Sequence, residues 1–387
     1  MAVVVGARSE AVKLGVVVRA LQAQPWAEVA VIGPGRRGEA VEETLALFGA
    51  RVDRRLADVR RSGRPGLAGD LVTGLGEHFA ALRPDLVVVQ GDTTSALASG
   101  LAAQPVRIRV VHVEAGLRSR DALPFPQEID RRLAAPPADL PPADRRPFAP
   151  LADLHLVGPH PAGLHPAALY LAPTRSARDS LVAERIAPAH VIVTGSTAID
   201  ALMHVVTPRR RPDRPLALVI AHRPERGEPR RRIARVAARL ATERPGLDVV
   251  TTTPLGPEEA ARGPANLRRL PPLPYQGFVN LLATATLVIT DSGEVEEAAA
   301  SLRLPLLVMR ETTERREALL GRWAHLVGTE EELILKTADA VLAARPPGGG
   351  VPRPCVFGDG RAAERTVAAC GWLLGLAPRP ADFHPPG

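Results

Sequence analysis

Two short apolar runs, Leu86–Val89 and Val110–Val113, constrain the fold most strongly, because each run ends abruptly in a polar loop that contains glycine. The first loop carries Asp92 and the second carries Glu114. Such runs are typical of buried strands in a parallel sheet, and ligands bind beyond the carboxyl ends of those strands. The pattern therefore predicts that two carboxylates reach one cleft, where they can serve as general acid and general base.

Strand and helix signals alternate along the chain, which predicts an α/β fold with two Rossmann-like domains that face a cleft. We expect an N-terminal domain over residues 1–175 and a C-terminal domain over residues 176–365, followed by a helix and a loose tail over residues 366–387. The proline-rich segment 134–166 excludes a continuous helix and predicts an irregular insert. The expected strands of the N-terminal domain are Ala2–Val5, Val29–Ile32, Leu86–Gln90 and Arg109–Val113, and those of the C-terminal domain are Val191–Thr194, Leu216–Ile220, Asp248–Thr252, Thr286–Thr290 and Leu304–Met309.

Composition excludes several classes of function. The net charge is +7, but aromatic residues make up only 3% of the chain, so platforms on which bases could stack are scarce. No apolar run reaches the roughly 20 residues of a membrane helix. The N-terminus lacks the pattern of a signal peptide, and two cysteines, Cys355 and Cys370, do not suggest a disulfide framework. We therefore expect a cytoplasmic protein with neither nucleic acid nor a membrane as a partner.

The turn after the first strand, in the stretch GARSEAVKLG, is a candidate anion site. Gly6 permits a tight turn, and the start of the following helix supplies N–H donors. Arg8 and Lys13 add positive charge nearby. The alternative interpretation is a plain strand-to-helix turn.

The C-terminal domain repeats this arrangement after the strand Leu216–Ile220. His222 and Arg223 follow that strand directly. A histidine beside an arginine at the end of a strand favours a contact with phosphate.

A second loop of this domain follows the strand Thr286–Thr290. Ser292 and Gly293 stand there at the start of a helix, whose N–H groups can hold a diphosphate. The alternative is that the loop only caps the helix. Thr313 and Arg315 follow the next strand and are expected at the same edge of the sheet.

The order of these motifs resembles that of the non-hydrolysing UDP-N-acetylglucosamine 2-epimerases, which have a fold of the glycosyltransferase-B type. The resemblance covers nearly the whole chain apart from the proline-rich insert. The stretches that carry it are GARSEAVKL, VVQGDTTSALASGLAA, VHVEAGLRS, PFPQEIDRR, LAPT, GSTAIDAL, AHRPE, TDSGEVEE, RETTERRE, LVGT and FGDGRAAER.

The resemblance implies a UDP-sugar bound between the two domains. A base removes the proton at C2 while UDP departs, which leaves a glycal, and UDP then adds back with the opposite configuration at C2. This scheme requires no metal and no nicotinamide or other cofactor. The resemblance further implies a homodimer and a C-terminal helix that crosses back to the first domain.

The resemblance also implies roles for individual residues. Asp92, Glu114 and Glu128 correspond to candidate acid–base groups, and His222 joins them as a catalytic residue near the diphosphate. The residues that it implies for substrate binding are Arg8, Lys13, Arg118, Arg223, Ser292, Gly293, Glu297, Thr313 and Arg315.

The chain departs from the family pattern within these motifs. Gln127 stands where the family has the first of two glutamates, and a glutamine cannot exchange a proton, although a shift of one residue would let Glu128 substitute. Glu294 replaces a glycine, and Ala298 replaces a glutamate that suits a ribose hydroxyl, while Glu297 remains. Two alternatives therefore stay open: a hydrolase that releases UDP and N-acetylmannosamine, and a non-catalytic homologue that binds a sugar nucleotide.

A third departure concerns regulation. Bacterial members of the family often bind a second UDP-sugar as an activator, through a glutamine and two histidines. Gly33, Pro34, Gly35 and Arg36 stand where these members have a Gly-Gln-His-Arg run, and Thr253, Pro254 and Leu255 stand where they have a His-Pro-Asn run. The glutamine and both histidines are therefore lost. We predict that UDP-N-acetylglucosamine does not activate the protein and that its kinetics are hyperbolic.

Overall fold

The chain forms two α/β units, each of which contains a parallel sheet. A computed structural model describes residues 1–35, 38–57, 63–118, 167–207, 212–221, 228–252, 263–320, 324–344 and 351–386. The first unit comprises Met1–Ala201 and Gly360–His384, and the second comprises Leu202–Asp359 with the last three residues. The predicted α/β fold with two Rossmann-like domains is confirmed.

The sheet of the first unit contains seven strands within the described residues, in the order β3-β2-β1-β4-β5-β6-β7. Neighbouring strands pair in parallel. The central strands are buried on both faces, which explains their continuous apolar runs. The strands are β1 (Ala2–Val4), β2 (Ala30–Gly33), β3 (Arg54–Arg55), β4 (Leu86–Gln90), β5 (Arg109–Val113), β6 (Ala167–Ala172) and β7 (Val191–Val193), and the helices between them are α1 (Arg8–Gln22), α2 (Glu39–Ala46), α3 (Gly63–Leu82), α4 (Thr94–Ala103) and α5 (Arg175–Ala183), followed by α6 (Thr197–Val205).

The second unit has a six-stranded parallel sheet within the described residues, in the order β10-β9-β8-β11-β12-β13. Its core lies between the sheet and the helices, where Val219, Leu240, Leu287 and Ile334 are all buried. The strands are β8 (Leu216–Ile220), β9 (Asp248–Thr251), β10 (Leu267–Arg269), β11 (Leu287–Thr290), β12 (Leu306–Val308) and β13 (Ala324–Leu326), and the helices are α7 (Glu228–Glu243), α8 (Tyr275–Ala283), α9 (Gly293–Leu302) and α10 (Glu331–Ala343). The last helix, α11 (Ala362–Leu373), belongs to the first unit.

One strand lies in a different sheet from the one expected. We predicted Val191–Thr194 as a strand of the C-terminal domain, but β7 pairs with β6 in the first sheet, with Tyr170 opposite Val191. The expected boundary after residue 175 therefore falls between two strands of the first sheet, whereas the two units divide at Ala201. A strand of only three apolar residues carries no pattern that specifies its sheet.

The C-terminal segment is anchored rather than loose. Helix α11 packs against α1, and the Asp200 carboxylate accepts hydrogen bonds from the Ala362 and Ala363 N–H groups at 3.1 and 2.8 Å. Further along, Phe383 is buried, and its N–H donates to the carbonyl oxygen of Val193 at 2.7 Å. Because β7 is the edge of the sheet, its unpaired backbone groups are available for the tail, so the prediction of a loose end is wrong.

The arginines of α7 pair with acidic side chains of α10. Arg235 lies 2.7 Å from Glu331, and Arg239 lies 2.6 Å from Glu332. Part of the basic charge is thus neutralised within the fold. No helix among the described residues is long and apolar enough to cross a membrane.

Candidate active site

Two predicted site residues of the first unit form a buried ion pair. The Lys13 Nζ atom lies 2.6 Å from Oε2 of Glu114, and the two side chains are only 6% and 1% exposed. Lys13 comes from α1, and Glu114 directly follows β5. The parallel order β1-β4-β5 brings the loops after these strands to one edge of the sheet.

Glu114 accepts further hydrogen bonds from side chains that the sequence did not single out. Gln90 Nε2 donates to Oε2 at 2.9 Å, and Ser196 Oγ donates to Oε1 at 2.9 Å. Glu114 has a φ of +57°, in the left-handed region that costs a non-glycine residue roughly 1–2 kcal/mol. We refer to Lys13, Gln90, Glu114 and Ser196 as the Glu114 cluster; its donors fix the orientation of one carboxylate.

The turn after β1 is closed by the protein's own carboxylate. Oε2 of Glu10 accepts from the Ala7 N–H at 3.0 Å and also from the Gly6 N–H. Oε1 accepts from Ser95 Oγ at 2.6 Å, while burial raises the pKa of Glu10. Because these two N–H groups already have an acceptor, the structure favours the plain strand-to-helix turn over an anion site there. Arg8 lies half-buried at the start of α1.

Asp92 lies in the loop after β4, where it is half-buried. The preceding Gly91 has a φ of +71°. Its carbonyl oxygen, which can only accept, lies 2.8 Å from Nε2 of His112. Burial lowers the pKa of His112, so a neutral imidazole donates this hydrogen bond and helps to fix the loop that carries Asp92.

Arg118 forms a bidentate ion pair with Glu184. Its Nε and Nη2 atoms donate to the two carboxylate oxygens at 2.8 and 2.7 Å. Planar pairs of this kind fix a guanidinium firmly. A role for Arg118 in substrate binding stays a prediction.

A second group of charged side chains follows β11 and β12 in the second unit. Thr313 Oγ1 donates to Oε2 of Glu296 at 2.8 Å, and Arg315 Nε donates to Glu297. The remaining ion pairs of this group join Arg315 Nη1 to Glu314 Oε1 at 2.7 Å, Arg310 Nη2 to Glu314 Oε2 at 2.7 Å, and Arg310 Nη1 to Glu296 Oε1 at 3.7 Å. We refer to Glu296, Glu297, Arg310, Thr313, Glu314 and Arg315 as the Glu296 cluster.

Among the described residues, the charge of the Glu296 cluster is unbalanced, because three carboxylates share two guanidinium groups. Burial raises the pKa of Glu296 to about 7, and the charge of Glu314 acts in the same direction. Arg315, Arg310 and the Thr313 hydroxyl oppose this shift. The cluster can therefore exchange a proton near neutral pH.

The start of α9 lies against this cluster. A Cβ atom on Gly293 would stand 2.1 Å from Nη1 of Arg315, so only glycine lets the guanidinium lie so close to the helix start. The Ser292 N–H donates to Thr290 Oγ1 at 3.1 Å, and the Ser292 side chain makes no capping hydrogen bond. The structure thus brings together the five site residues that the sequence predicted on these loops, namely Ser292, Gly293, Glu297, Thr313 and Arg315.

Three predicted site residues, Glu128, His222 and Arg223, lie outside the described residues. Gln127 lies outside them too, as do Arg36 and residues 253–255, which stand where other family members have the activator motifs. In the part of the chain that the structure describes, no group of three or more histidine, cysteine, aspartate or glutamate side chains could hold a metal ion.

The sequence contained signals for Gln90, Ser196 and Glu296, the three cluster residues that the sequence analysis did not predict. Gln90 stands in QGDTTS and Ser196 in GSTAIDAL, both of which carried the family resemblance. Glu296 stands in TDSGEVEE, between the departures from the family pattern at Glu294 and Ala298.

Two parallel-sheet units with ionisable side chains after their strands are the architecture of the glycosyltransferase-B type, and the chain shares this fold with a solved glycosyltransferase at a TM-score of 0.54. Comparison with known proteins specifies the family. The chain belongs to the UDP-N-acetylglucosamine 2-epimerase family, whose model matches residues 19–145 and 164–371.

Individual relatives match over nearly their whole length. A probable UDP-N-acetylglucosamine 2-epimerase of Ralstonia solanacearum is 33% identical over 396 residues, which cover 95% of this chain and 97% of the relative. The crystal structure of a putative UDP-N-acetylglucosamine 2-epimerase from Listeria monocytogenes has a TM-score of 0.83 and 31% identity, covering 99% of this chain and 98% of the other. The Neisseria meningitidis UDP-GlcNAc 2-epimerase, solved bound to UDP-GlcNAc, has a TM-score of 0.81 and 27% identity, covering 97% and 99%.

Proposed function

We propose that this protein is a UDP-N-acetylglucosamine 2-epimerase that interconverts UDP-N-acetylglucosamine and UDP-N-acetylmannosamine. The observation that carries the proposal is the buried Glu114 cluster, in which an ammonium and two neutral donors hold one carboxylate at the carboxyl ends of parallel strands. Ligands bind in this position in open parallel sheets.

The proposed reaction is an elimination followed by an addition. A carboxylate removes the C2 proton, the electron pair of the C–H bond forms a double bond between C1 and C2, and UDP leaves with the electron pair of the C1–O bond. Protonation of C2 on the opposite face and re-addition of UDP at C1 then give the epimer. Asp92, Glu114 and Glu128 are the carboxylates that we propose for proton exchange.

The leaving group needs stabilisation, because the C2 proton of an unactivated sugar is only weakly acidic. Positive charge and helix N–H groups placed where negative charge develops lower the barrier to departure. We propose His222 beside the diphosphate as the fourth catalytic residue. The residues that we propose for substrate and diphosphate binding are Arg8, Lys13, Arg118, Arg223, Ser292, Gly293, Glu297, Thr313 and Arg315.

Incubation with UDP-N-acetylglucosamine in deuterated water, followed by proton NMR, tests the proposal. We expect UDP-N-acetylmannosamine with deuterium at C2. Free N-acetylmannosamine and UDP would instead indicate a hydrolase. Saturable nucleotide binding without any turnover would contradict epimerisation of this substrate.

A matched pair of variants assigns the proton exchange to the carboxyl end of β4. Asp92→Asn should lower the exchange rate by a factor of about 100 or more, since an amide cannot transfer the proton. Asp85→Asn is the control, because Asp85 is an exposed aspartate at the amino end of the same strand. An equal loss in both variants would contradict the assignment.

We also propose that the protein is a cytoplasmic homodimer. The cytoplasmic location is supported by the two cysteines, which are both free. The homodimer rests on the family resemblance alone, and light scattering after size-exclusion chromatography would test it by giving the mass of the assembly.

A further inference from the structure

The Ser196 hydroxyl group has a fixed direction. Its oxygen accepts a hydrogen bond from the Ala198 N–H at 3.2 Å, at the start of α6. The hydroxyl has one proton, and it donates that proton to Oε1 of Glu114 at 2.9 Å. Ser196 is fully buried. The helix start therefore orients the hydroxyl, and the hydroxyl orients the carboxylate.

The residues just before Ser196 are hydrogen-bonded to the C-terminal segment. The Val193 N–H donates to Oδ1 of Asp382 at 3.0 Å, and the Val193 carbonyl oxygen accepts from the Phe383 N–H at 2.7 Å. Arg365 Nη1 donates to the carbonyl oxygen of Thr194 at 3.1 Å. These contacts bind the backbone of the last residue of β7 and of the residue after it, directly before the loop that carries Ser196.

Asp200 connects the same two elements a second time. It lies on α6, one turn beyond Ser196, and its carboxylate accepts the first two N–H groups of α11. Within the first unit, the C-terminal helix and tail thus form hydrogen bonds with residues both before and after Ser196 in the chain.

We propose that Ser196 is a positioning residue for Glu114, and that the C-terminal segment maintains this position by fastening β7. The inference rests on the proposed function. The effect of Ser196 on the reaction is placed at the Glu114 carboxylate, because its hydroxyl donates to Oε1 there and is fully buried. Its loss should therefore lower turnover and leave substrate binding nearly unchanged.

The variant Ser196→Ala removes this donor, and Thr197→Val is its matched control. Thr197 is the next residue, its hydroxyl is buried, and it makes no hydrogen bond within the described residues. We expect Ser196→Ala to lower kcat about tenfold or more, with KM changed less than about twofold. The acidic limb of its pH profile should move to higher pH, because the ionised carboxylate loses a donor. Thr197→Val should retain both constants, and Ser196→Thr, which keeps a hydroxyl, should restore most of kcat.

Asp382→Ala tests the contribution of the tail. It removes the acceptor for the Val193 N–H, and we expect a smaller loss of kcat, about threefold, in the same direction. Glu364→Ala is the control, since it breaks only an exposed ion pair with Arg361 in the C-terminal segment. Thermal unfolding of each variant verifies that it is folded under the assay conditions.

The results separate this inference from the proposed function. A wild type that exchanges no C2 proton would overturn both. An active wild type whose Ser196→Ala variant keeps its kcat and pH profile would overturn the inference alone. An equal loss in Thr197→Val, or an effect confined to KM, would overturn it too.

Discussion

The Glu114 cluster and the Glu296 cluster occupy equivalent places in the two units, at the carboxyl ends of parallel strands, but their charge balance differs. Within the part of the chain that the structure describes, the first cluster has one carboxylate that pairs with one ammonium and accepts two neutral donors. In the second, three carboxylates share two guanidinium groups. Removing one partner from a balanced buried cluster lowers the stability of the fold. Removing one negative charge from a cluster with excess negative charge raises it.

This difference indicates different tasks for the two clusters. The Glu114 carboxylate is held in one orientation, as an acid–base group requires. Arg315, by contrast, is held by two acidic side chains beside the start of α9. An anion that approaches this helix start competes with Glu297 and Glu314 for the guanidinium. We therefore propose that the Glu296 cluster responds to the charge of a ligand.

The first prediction concerns the buried pair of the Glu114 cluster. Lys13→Met removes the ammonium that lies 2.6 Å from the buried Glu114 carboxylate, and we expect the free energy of unfolding to fall by about 3–5 kcal/mol. Glu114→Gln should also destabilise the fold, because it removes the carboxylate that pairs with the buried ammonium of Lys13. Urea unfolding measures both effects.

The double variant Lys13→Met/Glu114→Gln serves as the control for this pair. It removes both charges, so it should recover a large part of the stability that either single variant loses. Losses that simply add would show that the two side chains are not coupled, and the contrast between the clusters would fail.

The second prediction concerns the Glu296 cluster, where we expect the loss of a charge to stabilise the fold. With a folded pKa of about 7 against an ordinary value of 4.5, Glu296 binds a proton in the folded chain that the unfolded chain has released. Its contribution to stability is therefore fully present below pH 4.5 and is lost as the pH rises through 7, by up to about 3 kcal/mol. Glu296→Gln removes this dependence, and it should make the protein more stable than the wild type at pH 8.

Unfolding measured between pH 5 and pH 8 tests this prediction. Glu311→Gln is the matched control, because Glu311 is an exposed carboxylate near the same loop. Equal pH dependence of the wild type and Glu296→Gln would show that the excess negative charge of this cluster has no energetic consequence.

The sequence predicted where the site lies better than it predicted how its charges are held. The strands Leu86–Gln90, Arg109–Val113 and Leu216–Ile220 match the structure residue for residue, because apolar runs this short, flanked by proline, glycine and polar residues, indicate strands rather than helices. The ends of such strands then place Asp92 and Glu114 in neighbouring loops.

The partners of these carboxylates depend on long-range pairing, which no local pattern specifies. Ser196 reaches Glu114 only because β7 joins the first sheet, and the sequence had assigned that strand to the other domain. The anchored tail follows from the same pairing, since it occupies the edge that β7 provides. The balance of charge in the Glu296 cluster likewise depends on Arg310, whose position relative to Glu296 is fixed by the pairing of β11 with β12.

The third prediction, with the smallest effect, tests whether the Glu296 cluster meets the ligand. A Cβ atom on Gly293 would collide with the Arg315 guanidinium, so Gly293→Ala must displace it from the helix start. We expect KM for UDP-N-acetylglucosamine to rise about tenfold, equivalent to about 1.4 kcal/mol, with a small change in kcat. Gly277→Ala is the control, because it adds the same methyl group at an exposed position of α8, where its closest neighbour lies 3.9 Å away. An unchanged KM in Gly293→Ala would mean that Arg315 serves only the internal network, and that the two clusters differ in charge balance but not in access to substrate.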